Sequence, residues 1–207
     1  KFFFKNWIGS WKNIELALFT IDVSGTDAAV LKRVAMNFDF SNRLYPGQPL
    51  YTIGFGIADN PDQEIVANYD SDCMVFSDTG DFRLMSDPDE LNPGTYRAWS
   101  FATGCDVSHG DSGSAMLDRN TGSIVGLIWT GKIPTSDIVR NSAFLDQVML
   151  ERNQQVIWKE LSYAVPAAKI AEYLMQKLEN DEIQGERRQV IMDMLSTDMQ
   201  PLCPVCM

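Results

Sequence analysis

The sequence predicts an all-β protein that ends in two α-helices, and three observations carry that prediction. Across residues 41–165 short apolar runs alternate with Gly, Pro, Asn and Asp, the punctuation of antiparallel strands in a barrel. After Pro166 the apolar spacing becomes helical, with Ile170, Tyr173, Leu174 and Leu178 on one face. The 207 residues, 45% of them hydrophobic, suffice to bury a full core.

Taken in order, residues 2–4 and 16–23 have strand character, and Gly9, Ser10 and Asn13 are the turn formers between them. Residues 28–36 suit either a short helical turn capped by Asp27 or an extended linker. Further strands are expected at 50–55, 64–69, 74–77, 97–101, 114–117, 124–129 and 156–165. Residues 132–155 exceed what a hairpin needs and are a surface lid or a partner-binding insertion. Pro166 suits the first position of a helix. A second helix over 186–195 has Val190, Ile191, Met194 and Leu195 at helical spacing.

Seventeen basic against 28 acidic residues give a net charge of −11. Nucleic acid and anionic lipid both require basic patches, so neither is an expected partner. No run approaches the ~18 apolar residues of a membrane span. There are no P-loop or Rossmann glycines, and no cofactor is called for. Cys203 and Cys206 lack the two further ligands a zinc site needs, so no metal is expected either.

The chemistry concentrates at Gly110, Asp111, Ser112, Gly113, Ser114 and Ala115. A Gly-rich turn between strands exposes one serine hydroxyl and lets neighbouring backbone N–H groups converge where an oxyanion forms. An α/β-hydrolase is excluded by residue order, because it needs G-x-S-x-G and a histidine after the serine, and none follows Ser112.

The run GDSGSA resembles the nucleophile loop of the trypsin-like, chymotrypsin-fold serine peptidases, most of all their bacterial members. The resemblance is strong over 105–131 and weak elsewhere within 13–178. It implies a double β-barrel, its N-terminal barrel incomplete in this chain: residues 1–40 as remaining strands and crossover, 41–165 as the C-terminal barrel, and 166–207 as helices and a Cys-containing tail. It implies Ser112 as nucleophile, an oxyanion hole at Gly110, Asp111 and Ser112, and a polypeptide substrate. Glu15 stands in a segment similar to the family's strand that carries the triad acid, with Asp22 as the fallback. His109, the only histidine, stands three residues before Ser112 and is expected to face the substrate rather than act as base. The base is then expected from residues absent from this chain, contiguous or on a separate N-terminal fragment of one precursor. The competing expectation is an inactive peptidase-fold binding or regulatory module.

The resemblance carries four further expectations. Trp129, Thr130 and Gly131 form the peptide-docking strand. Asp106, six residues before Ser112, is the specificity-pocket carboxylate selecting Lys or Arg. Cys73 and Cys105 form a disulfide, as in an extracytoplasmic protein. Asp111 is the acceptor for an amine released by proteolytic processing.

Overall fold

The computed structural model describes residues 3–27, 29–31, 35–56, 65–77, 82–86, 97–131, 143 and 161–196. Among them β1 (Phe3–Trp11) and β2 (Leu16–Asp22) form a two-stranded antiparallel sheet. A second antiparallel sheet contains β3 (Leu50–Gly54), β4 (Val66–Asn68), β5 (Arg83–Ser86), β6 (Arg97–Thr103), β7 (Ala115–Asp118), β8 (Ile124–Thr130) and β9 (Ser162–Pro166). Its strand order is β4-β3-β7-β8-β9-β6-β5. Helices α1 (Ala167–Glu179) and α2 (Gly185–Ser196) follow. The all-β class with C-terminal helices is therefore the observed one.

In the hairpin the reversal is a 3-10 turn, Lys12–Ile14, closed by Glu15 at φ 48°. Gly9 and Ser10, expected at the turn, lie inside β1 beside an irregularity in the register. A Cβ on Gly9 would fall 2.8 Å from the Trp11 ring. The glycine makes room for an indole rather than for a reversal. Behind β2, Asp27 is a cap: its Oδ1 accepts the Ala29 N–H at 2.8 Å, and residues 29–31 are helical.

β8 explains why the second sheet holds together. Its run IVGLIWT lacks polar alternation because both faces are covered, the signature of a strand buried on two sides. Leu127 and Trp129 face one cluster with Ile8, Ile14, Leu16, Tyr163, Val165, Ile170 and Leu174. Val125 and Ile128 face the other, with Leu50, Val75, Phe101, Val107 and Met116. The first cluster thereby joins the hairpin and both helices to the sheet. The second covers the other face of β8.

The ladder does not close continuously. Met74 and Val75 bridge Pro49 and Thr103 respectively, and the Cys73–Cys105 disulfide spans the same gap. The expected strand at 74–77 is thus a pair of isolated bridges, while β5 was not anticipated. β9 enters α1 without a loop: Pro166 still pairs with Gly126 and keeps ψ 138°, so it caps the helix and Ala167 is the first helical residue. Pro166 therefore stands one position earlier than the sequence implied. Residues 2, 28, 32–34, 64, 156–160, Cys203, Cys206 and, apart from position 143, the 132–155 segment lie outside the described residues.

Candidate active site

The loop from Ser108 to Ser114 consists of two successive tight turns. The Asp111 N–H donates to the Ser108 carbonyl at 3.1 Å, and the Ser114 N–H donates to the Asp111 carbonyl at 2.9 Å. Each turn has a glycine third: Gly110 at φ 103° and Gly113 at φ 83°. A positive φ at this position is what a type II turn requires, and only glycine adopts it without strain. The spacing of the two glycines in S-H-G-D-S-G-S is therefore a consequence of backbone geometry.

Those turns sort the amide hydrogens. Asp111 and Ser114 use theirs within the loop, and Gly113 donates to the Ile128 carbonyl at 2.7 Å, while Ile128 donates back to the Ser114 carbonyl at 3.0 Å. Among the described residues the N–H groups of Gly110 and Ser112 have no acceptor. Ser112 itself is exposed. An exposed hydroxyl flanked by two unengaged amides is what stabilising a developing oxyanion calls for.

Asp111 is the loop's buried charge, 9% exposed. Its Oδ2 accepts the Ser108 N–H at 3.0 Å and the Ser108 hydroxyl at 3.4 Å. The carboxylate lies against Gly54 and Gly56, where added Cβ atoms would come within 2.1 and 2.4 Å of its two oxygens. Ser108, Gly54 and Gly56 were not singled out as site residues from sequence. The repeated G-F-G next to a strand end was the available signal, since two glycines on one face imply a close neighbour.

The remaining expected residues are distributed around this loop. His109 is exposed at the second position of the first turn. Asp106 stands between Cys105 and Val107, both buried in the second cluster, so its side chain turns the opposite way. It faces Asn68, Asp70 and Asp72; burial and the two aspartates raise its pKa, against a hydrogen bond from Asn68. The Trp129 side chain is core, 6% exposed, with its indole N–H donated to Ser100 Oγ at 2.9 Å. Thr130 pairs with Tyr163, whereas the register of β7 on β8 ends at Leu127. Gly131 is required by Ser162, whose atoms would lie 2.6 to 2.9 Å from an added Cβ.

Glu15 ends the 3-10 turn next to Ile14 and Leu16 of the first cluster. Desolvation raises its pKa and Lys12 opposes that shift. Among the described residues no hydrogen bond links Glu15 to Ser112 or His109. Asp22 has another occupation: its carboxylate accepts the Ser24 N–H at 2.8 Å, which lowers its pKa. Cys73 and Cys105 are bonded to each other, as expected. No group of three or more metal-binding side chains occurs among the described residues.

No protein-family model and no curated protein matches the chain. Solved structures do. The inactive form of the Rv3671c protease aligns at TM-score 0.50 and 14% identity over 84% of this chain and 66% of that one. An inactive mutant of the same protein from M. tuberculosis H37Rv aligns at 0.48 and 14%, over 83% and 63%. An HtrA-type protease, AlgW, carrying a decapeptide aligns at 0.47 and 17%, over 84% and 40%. At TM-score 0.50 the chain has the fold of the Rv3671c protease. It spans less than two thirds of the length of each aligned structure, and at such identity the likeness speaks for the fold alone.

Proposed function

We propose that this chain is the serine-bearing part of an endopeptidase that hydrolyses peptide bonds through an acyl-enzyme on Ser112. The observation that carries the reading is the exposed Ser112 beside the two unengaged amides of Gly110 and Ser112. Removing one such donor costs about 100- to 1000-fold in turnover where it has been measured.

In this reading a histidine from residues outside the chain, contiguous or on a processed fragment of the same precursor, takes the Ser112 proton. Glu15 orients it. The half-buried carboxylate of Glu15, with Lys12 as the one charge acting on it among the described residues, gains from an imidazolium partner. The substrate runs along the end of β8, where Trp129 contributes backbone and Thr130 and Gly131 flank the cleft. Asp106 contributes a negative corner with Asp70 and Asp72, which favours a basic substrate side chain. The disulfide supports an extracytoplasmic location.

The test is labelling by a fluorophosphonate probe of the chain with its complete N-terminal half. Wild type should label and Ser112→Ala should not, because only an activated hydroxyl reacts quickly. Absence of wild-type labelling would favour the binding-module reading, to which the placement of the sole described histidine on an exposed turn also lends weight.

A further inference from the structure

Asp111 is a carboxylate whose surroundings are already complete. It is 9% exposed and accepts both the N–H and the hydroxyl of Ser108. Its two oxygens occupy the space that side chains at positions 54 and 56 would need. An added Cβ on Gly110 would meet the Phe55 carbonyl at 2.4 Å. The segment Gly54-Phe55-Gly56 therefore grips the first turn on both sides of the carboxylate. Among the described residues no Lys or Arg forms an ion pair with Asp111.

A buried carboxylate is costly unless hydrogen-bonded, and here the bonds come from the turn that presents Gly110. Ser108 and Asp111 are the first and last residues of that turn. The side-chain bond and the backbone bond between them run in opposite directions and close it twice. We infer that Asp111 is a positioning residue: latched to Ser108 and seated on the Gly54–Gly56 backbone, it sets the amides of Gly110 and Ser112 from within the chain, without an amine released by cleavage. The functional half of this inference rests on the proposed hydrolase reading; the latch itself does not.

Asp111→Asn separates a latch from an ion pair, because it keeps an oxygen acceptor for the Ser108 N–H and discards the charge. Asp111→Ala discards both, and Gly54→Ala pushes the carboxylate out of its seat. Two measurements apply to the chain with its complete N-terminal half. By amide hydrogen exchange, the Ser108 and Asp111 N–H groups should open about tenfold faster in Asp111→Ala and keep wild-type rates in Asp111→Asn, with the Gly113 N–H as internal control. By fluorophosphonate labelling, Asp111→Ala and Gly54→Ala should slow by about a hundredfold, the scale of a lost oxyanion donor, and Asp111→Asn should recover most of the rate that Asp111→Ala loses.

Asn behaving like Ala in either measurement would overturn the latch, as would labelling that appears only after the N-terminus is cut. If wild type does not label at all, the hydrolase reading fails. The exchange rates then still decide whether the latch exists.

Discussion

The Ser108–Ser114 loop and the β1–β2 hairpin are both surface features, yet they are built in opposite ways. The loop is held by backbone bonds of Gly113 and Ser114 with Ile128, by the Asp111–Ser108 pair, and by a strand whose two faces are both buried. The hairpin buries Ile8, Ile14 and Leu16 on one side and leaves Phe4, Phe19 and Ile21 between 39% and 61% exposed on the other. The loop's geometry is thus carried by contacts inside this chain. A two-stranded ribbon with an uncovered apolar face draws its stability from what it is packed on.

The largest expected effect is on the loop's side. Replacing Cys73 and Cys105 by Ser frees a loop with a sequence separation of 32 and should cost about 3–4 kcal/mol by chain entropy. Equal chemical-denaturation midpoints with and without reductant would refute this. Next comes Ile128→Ala at a site that is 0% exposed, expected to cost about 2–5 kcal/mol, against Phe19→Ala on the hairpin at under about 1 kcal/mol. Similar losses for the two would erase the contrast between the regions.

The smallest effect concerns Asp106. Its carboxyl is raised above 3.8 in the folded state, so ionisation at neutral pH disfavours folding, and the lost stability returns as the pH falls through the raised value. Asp106→Asn should therefore stabilise the protein by roughly a few tenths of a kcal/mol at pH 7, given the partial exposure, and lose that advantage below 3.8. A pH-independent difference in melting temperature would show that neither burial nor the neighbouring aspartates raise it.

Sequence reading succeeded where one local cause dominates. The glycines at 110 and 113 announce turns, and the apolar run at 124–129 announces a strand. It failed where a distant partner decides. Gly9 looked like a turn former because the Trp11 ring above it cannot be inferred from spacing. Arg83–Ser86 carries no apolar pattern of its own, and its pairing with Arg97–Ser100 makes it a strand. Pro166 was displaced by one position because pairing with Gly126 outweighs its suitability for the first helical turn. The partner of Asp111 was illegible for the same reason: Gly54 and Gly56 lie more than fifty residues away in the chain.

Gly126 stands midway along β8, where an added Cβ would lie 2.8 Å from both the Phe101 ring and the Val165 carbonyl. Phe101 belongs to the second cluster, while the cluster shared with the helices lies on the other face of β8. The two clusters are thus separated here by backbone on which the Phe101 ring rests directly. Over evolutionary time they are not free to drift apart: volume added at position 101 has no slack to absorb it across the strand. Compensating changes are to be sought in pairs that straddle β8, joining the neighbourhood of Ser112 to the packing of the C-terminal helices.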